Sequence, residues 1–346
     1  MGRIAASACA HQPSTDRGGD LATLRLANLN AYKLTPATRT TSSWTARVNA
    51  IQEINPDILA LQEVLIDEST TSRDAWEQQA AELIQELAEQ CGLTAQVGTT
   101  AGHPHGTAMA ANWHRPWWTA LMWNPDTVQL IDNSYRPYGA PDFWHGCTTA
   151  RFDVGAPEPV LIASYHGDPF RPDFRSNEAL RLKGTFRQTG GVKPGFLVGD
   201  FNSLSAAKVR RFGVFRRYYD RNVYRLQRHD DLEFQVYPRS IGRWWRPNVP
   251  NREQTKLLLR RRYMVDVAAH LKAPWQPTVG HWEDGRGDPD PWGERRIDLI
   301  LATRSVAPAL TSYHAHKSTA AEKAADHLPV YVDFDPSKIT TEGGNR

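Results

Sequence analysis

Apolar and polar positions along this chain fall into two rhythms. Short apolar runs with the composition of strands occur at Leu21–Leu29 (LATLRLANL), Asp57–Val64 (DILALQEV) and Val160–His166 (VLIASYH). Others are expected near Ala95–Val97, Thr107–Ala111, Thr119–Trp123, Thr148–Val154 and Phe196–Gly199, with a final pair at Arg296–Ala302 and Leu328–Phe334. Helical spacing appears at Trp44–Ile54, which Asn55-Pro56 stops, and at Arg73–Cys91, which Gly92 closes. Asn177–Thr189 reads as a further helix, and helical periodicity returns over Glu253–Leu271. Strands alternating with helices, then strand pairs joined by turns, predict an α/β or α+β chain built on mixed sheets.

The ends of these runs raise the chemical question. Asn30 ends LRLANLN, Gln62-Glu63 end DILALQE, and His166 ends VLIASYH. Asp200 and Asn202 follow FLVG, Asp298 interrupts RRIDLIL, and Asp326-His327 precede LPVYVDF. Singly, an Asp or Asn at a strand end is a turn or capping residue, and a lone His is a satisfied surface residue. An acid inside an apolar strand, such as Asp298, is harder to dismiss, because burying it unpaired costs several kcal/mol. As a set, Asn30, Glu63, Asp200, Asn202, Asp298 and Asp326 supply hard oxygen ligands suited to Mg²⁺ or Mn²⁺, while His166 and His327 supply imidazoles. With no nucleophilic Ser or Cys motif beside them, that set points to metal-assisted attack of water on a phosphate ester.

The order of these segments resembles the endonuclease/exonuclease/phosphatase superfamily, which has the DNase I-like fold. LRLANLN, DILALQEV, GTAMAANWH, LIASYHGD, FLVGDFNS, MVDVAAHL with Pro277-Thr278, RRIDLILA and ADHLPVYVDF follow the family's series from about Leu24 to Phe334. The resemblance implies a four-layer sandwich of two packed mixed β-sheets flanked by helices. It also implies that Glu63, with Asn30 and Asp326, holds a divalent cation, Mg²⁺ with Mn²⁺ as the alternative. Asp200 would orient and deprotonate the attacking water, and Asn202 would donate to a phosphoryl oxygen. His166 and His327 would stabilise the pentacovalent phosphate, and Asp298 would fix the His327 tautomer. Many nucleases of the family carry an acid two positions after the first asparagine; here Ala31 and Tyr32 follow Asn30.

Composition refines the picture of partners. Of 346 residues 40% are hydrophobic and 23% charged, values of a globular chain, and the net charge is +3. Between Lys208 and Arg262, however, 16 Lys and Arg face 5 Asp and Glu. Arg interleaved with Tyr218, Tyr224, Trp244 and Trp245 is the composition of a nucleic-acid groove; it equally describes an insertion whose aromatics pack inward while its Arg face water. The expected organisation is a disordered leader at 1–20, a catalytic domain at 21–336 with a basic insertion at about 204–262, and a flexible tail at 337–346. The expected activity is Mg²⁺-dependent hydrolysis of nucleic acid, with a phospholipid, sphingomyelin or inositol phosphate as the alternative substrate and a silent binding module as the remote one. Trp113, Trp117, Trp118 and Trp123 are expected to anchor loops and core. The acids of the loop from His281 (Glu283, Asp284, Asp288, Asp290) do not match the spacing of a calcium loop. Three widely spaced cysteines (Cys9, Cys91, Cys147) suit a reducing compartment, no run is long enough to span a membrane, and a cytoplasmic monomer is expected. The short apolar run ending at Cys9 leaves secretion or a lipid anchor as the lesser alternative.

Overall fold

Alternation along the apolar runs resolves into two mixed β-sheets stacked face to face. The computed structural model describes residues 23–67, 69, 72–100, 103–112, 114–211, 215–228, 232–238, 247–282, 290 and 292–341. The proposed leader at 1–20, the end of the tail, Trp113, Trp244, Trp245, Glu283, Asp284 and Asp288 lie outside the described residues.

The chain begins with β1 (Leu24–Leu34), α1 (Ser42–Ile54), β2 (Ile58–Leu65), α2 (Arg73–Gln90), β3 (Met109–Ala111) and β4 (Trp117–Trp123). It continues through β5 (Gln129–Leu130), β6 (Arg136–Tyr138), β7 (Gly146–Asp153), β8 (Val160–His166) and α3 (Pro172–Phe186). A small pair, β9 (Arg187–Gln188) and β10 (Gly191–Val192), precedes β11 (Gly195–Asp200), and a hairpin of β12 (Lys208–Arg211) and β13 (Phe215–Tyr218) follows it. The last elements are α4 (Glu253–Leu259), β14 (Met264–Asp266), α5 (Val267–Leu271), β15 (Asp298–Thr303), β16 (Leu310–Ala315), α6 (Thr319–Ala324) and β17 (Val330–Phe334).

One sheet has the order β16-β17-β1-β2-β4-β3 and the other β14-β15-β11-β8-β7-β5, with β6 also pairing β7. Among the described strands only β1–β2 and β8–β11 run parallel, so each sheet is mixed. Between the sheets lies a core of Leu26, Ile58, Ala60 and Leu121 from the first and Ile162, Val198 and Ile300 from the second. The outer face of the first sheet (Leu29, Leu59, Leu61) packs on Trp44 and Ile51 of α1 and Leu83 and Leu87 of α2. That of the second (Leu161, Ala163, Leu197, Leu299) packs on Leu182 and Phe186 of α3 and Leu258 of α4. This is the expected four-layer sandwich.

Several expected boundaries differ. The helix read at Asn177–Thr189 runs Pro172–Phe186, because Pro172 supplies a preset φ at the first turn. The periodic stretch Glu253–Leu271 divides into α4, a 3-10 turn, β14 and α5, since Arg261 and Arg262 adopt left-handed backbone that no helix continues through. Ala95–Val97 makes only an isolated bridge, Gln96 with Thr107. The strand read from Arg296 starts at Asp298, so that acid opens the strand rather than interrupting it.

Candidate active site

Parity brings the polar strand ends together. Residues two apart share a face of a strand, and on the faces that meet between the sheets each run changes from apolar to polar at one end. The sequence goes Leu26, Asn28, Asn30 along β1 and Ile58, Ala60, Gln62 along β2. It goes Ile162, Ser164, His166 along β8 and Val198, Asp200 along β11, while β15 opens with Asp298 before Ile300. In register, Gly146 lies opposite His166, His166 opposite Asp200, and Asp200 opposite Asp298. The second sheet therefore presents one row of polar groups at the mouth of the sandwich. Gln62 Nε2 donates across the gap to Ser164 Oγ (3.0 Å), closing the apolar core beneath them.

Glu63 has the wrong parity for this gap, and a bulge corrects it. The registers of β1–β2 and β2–β4 both slip here, with Tyr32, Lys33 and Glu63 at φ of 46, 49 and 60°. Such backbone is strained for non-glycine residues, and bulges re-aim side chains at functional edges. Buried Arg47 of α1 holds the bulge by donating to the carbonyls of Ala31 (2.9 Å) and Tyr32 (3.1 Å). Glu63 then accepts from Asn30 Nδ2 (3.1 Å) and the Lys33 amide (3.1 Å).

Asp200 is the hub. Its Oδ2 accepts from Asn30 Nδ2 (3.1 Å) and lies 3.6 Å from His166 Nε2 and 3.9 Å from His327 Nε2. Its Oδ1 accepts from the Asn202 amide (2.8 Å), a turn that places Asn202 at φ 48°. The strand can bring Asp200 this close because residue 199 is glycine: at φ 156° a Cβ there would meet the Tyr165 carbonyl oxygen at 1.7 Å. His327, between α6 and β17, donates from Nδ1 to Asp298 Oδ2 (2.8 Å), which turns Nε2 toward Asp200 and Asp326 (3.9 Å). The remaining oxygen of Asp298 accepts from Asn28 Nδ2 (3.4 Å), and its amide is held by Thr278 Oγ1 (3.2 Å).

The electrostatics differ between the two imidazoles. Burial, reinforced by the nearby His327, pushes His166 down to about 3, so it is neutral at physiological pH. Burial also disfavours the His327 cation, but Asp298, Asp326 and Asp200 outweigh it and hold His327 well above the ordinary value. Burial raises Asp200 to about 7, with Asp298 and Glu63 adding to the shift, and raises Asp326 to about 6, with Glu63 and Asp298 adding again.

Carboxylates crowded in this way suit a hard divalent cation. Two groups of ligating atoms lie within 4.8 Å of one another: Glu63, His166 and Asp200, and Asp200, Asp298 and His327. Asp326 Oδ1 is buried without a hydrogen-bond partner, a free oxygen ligand beside them. Asn30 turns its amide nitrogen to Glu63 and Asp200, and its oxygen accepts from the Tyr32 amide (3.1 Å). All eight expected residues therefore surround one cleft.

The structure adds groups that the motifs did not mark. His145, buried, stacks on His166 with ring centroids 4.0 Å apart and planes at 12°. The ring of Trp144 beside it is met by the guanidinium groups of Arg115 (4.1 Å) and Arg171 (4.4 Å). Only position betrays His145 in the sequence, since it immediately precedes a strand whose first residue pairs with His166.

The other expectations divide. Trp118 and Trp123 are core, and half-buried Trp117 lies 5.4 Å from His145. Asp290 accepts a two-pronged ion pair from Arg295 (3.0 and 3.1 Å). Within the basic stretch Tyr224 and Arg252 are buried, whereas Lys208, Arg210, Arg216, Arg217 and Tyr218 of the β12–β13 hairpin are exposed. No described helix is long and apolar enough to cross a membrane.

Residues 27–327 match the model of the Endonuclease/Exonuclease/phosphatase family. Among solved structures, the chain resembles an endonuclease/exonuclease/phosphatase from Beutenbergia cavernae DSM 12333, with TM-score 0.56 and 17% identity over 91% of this chain and 72% of that one. It resembles an AP endonuclease from Archaeoglobus fulgidus with TM-score 0.51 and 18% identity, over 90% and 99% of the two chains. D. rerio TDP2 complexed with single strand DNA product is similar at TM-score 0.51 and 12% identity, over 90% and 98%. No curated protein matches in sequence. The chain belongs to the endonuclease/exonuclease/phosphatase family of metal-dependent phosphoesterases.

Proposed function

We propose that this chain hydrolyses phosphodiester bonds of nucleic acid by in-line attack of water on phosphorus. The observation that carries the reading is the convergence of Glu63, Asp200 and His327, from three distant segments, on one cleft. Asp200 takes a proton from water as its oxygen bonds to phosphorus, and the Asn202 amide keeps that carboxylate oriented. Asn202 Nδ2 donates one hydrogen to the Gly167 carbonyl (3.0 Å), leaving the other for a phosphoryl oxygen. Cationic His327 faces the developing charge and gives its Nε2 proton to the leaving oxygen as the phosphorus–oxygen bond breaks. Neutral His166 donates a hydrogen bond without adding charge. Glu63, Asn30 and Asp326 would hold a Mg²⁺ or Mn²⁺ ion, which supplies charge neutralisation at the phosphate.

Nucleic acid is favoured as substrate by the exposed basic hairpin, which begins six residues after Asn202, and by Arg115 and Arg171 around Trp144. Two structural neighbours, an AP endonuclease and a protein holding a single-strand DNA product, support the same class. The test is Mg²⁺-dependent cleavage of plasmid and of single-stranded oligonucleotide, run beside phospholipid and inositol phosphate substrates. Cleavage of nucleic acid that weakens with rising salt is expected. Turnover of a lipid or inositol phosphate with nucleic acid left intact would overturn the substrate class.

The cation assignment has its own readout in stability. The folded pKa values of Asp200 (about 7) and Asp326 (about 6) lie above the ordinary 3.8, so these groups favour the folded state when protonated. Metal-free stability from them is full below that ordinary value and is lost as pH rises through 6 to 7. Mg²⁺ should therefore raise Tm clearly at about pH 8 and little at about pH 5. Equal shifts at both values, or none, would remove the cation from this cleft.

A further inference from the structure

A second concentration of charge lies at the opposite end of the second sheet. β15 runs from Asp298, at the catalytic cleft, to Thr303, and Arg304 follows. Six residues of extended chain separate the two ends by about 20 Å. There Arg304 meets Lys183 of α3 and Arg260, Arg261 and Arg262, which follow α4, around a cleft of about 480 Å³ that Tyr263 also lines. These five cations make no ion pair with a described carboxylate, although Arg25, Arg39, Arg171, Arg181, Arg295 and Arg296 all do.

The cleft has a defined frame. Tyr263 Oη donates to the Lys183 carbonyl (2.6 Å), and Lys183 Nζ donates to the Leu257 carbonyl (3.4 Å) while lying 4.7 Å from the Tyr263 ring. Arg261 and Arg262 stand at φ 56 and 57°, two successive non-glycine residues in left-handed backbone. The chain thus bears conformational strain while like charges gather around a hollow. Burial, with Arg260 and Arg261 adding repulsion, pushes the Lys183 ammonium down.

We propose that this cleft is an anion-binding site, separate from the catalytic centre, for a compact ligand carrying phosphate groups with several negative charges. Guanidinium forks match phosphoryl oxygens two at a time, and the volume is that of a small-molecule site. Its distance from the catalytic mouth and its concavity favour a small polyanion over a continuous nucleic-acid strand.

Calorimetric titration with inorganic pyrophosphate, at constant ionic strength and with chelator present, tests the assignment without requiring catalysis. Saturable binding of one pyrophosphate is expected. Joint replacement Arg260→Ala and Arg304→Ala, two exposed side chains, should weaken it at least about tenfold, since each removes charge-assisted hydrogen bonds to the anion. Circular dichroism checks the fold, and the charge-preserving pair Arg260→Lys and Arg304→Lys should weaken binding less. Asp200→Asn should leave it unchanged. Absence of saturation, equal binding by the alanine pair, loss on Asp200→Asn, or binding of a single-stranded oligonucleotide at this cleft but not of pyrophosphate would each overturn the proposal. None of these outcomes would overturn hydrolysis at the catalytic cleft, so the two readings fail separately.

Discussion

Replacing Asp200 with alanine is expected to slow phosphodiester hydrolysis by about a hundred- to ten-thousandfold while the fold stays in place, as for loss of a positioned general base. His327→Ala should cost a comparable factor. Among the described residues, Asp200 is the only carboxylate that lies within 4 Å of both imidazoles, and the Asn202 amide and Asn30 fix both its oxygens. Truncation relieves a carboxylate that burial holds at about 7, so stability should not fall at neutral pH. Because Asp200 must be ionised to accept a proton, wild-type activity should rise with pH as it deprotonates. A bound cation favours the carboxylate, so this limb should move to lower pH as divalent metal is added. Single-turnover rates with thermal unfolding of both variants provide the check. A loss of less than about tenfold in both would reject the proposed roles.

Arg296→Met is expected to destabilise the protein by about 3–5 kcal/mol, the cost of leaving buried charges without their partner. Arg296 is fully buried, donates to Asp220 from Nε (2.8 Å) and Nη2 (3.1 Å), and reaches Asp266 Oδ2 at 2.6 Å. Asp220 also accepts from the Ser205 amide (2.7 Å) and from Trp275 Nε1 (3.3 Å). The cluster therefore ties the start of the basic stretch to β14 and to the approach of β15. Without the guanidinium, two buried carboxylates lose their shared cationic partner. Adding Asp220→Asn and Asp266→Asn should recover much of the loss, since the uncompensated charge goes with them. Denaturant unfolding measures both steps. A change of less than about 1 kcal/mol for Arg296→Met would show that the cluster is not a structural tie.

The local rules of the chain are legible because they repeat every two residues. Apolar positions that turn polar at one end of a strand, as in Leu26-Asn28-Asn30 or Ile162-Ser164-His166, already place these side chains on one face. The ordered motifs around Glu63, Asp200, Asp298 and His327 likewise carry the family resemblance. β16 is not legible because its burial alternates weakly at the sheet edge, and α6 because only six residues form it.

What the sequence by itself determined is thus the long central strands, their polar tips and the family. Tertiary structure alone decided how the tips act on one another. Glu63 enters the cleft only through a bulge pinned by Arg47 from another layer, and the opposite protonation of His166 and His327 follows from burial and from carboxylates far away in the chain. The stack of His145 on His166, the burial of Tyr224 and Arg252, and the exit of Arg260–Arg262 at the far end of the sheet depend on the same long-range packing. Strand periodicity is a property of neighbours along the chain, whereas charge, protonation and access are set by neighbours in space.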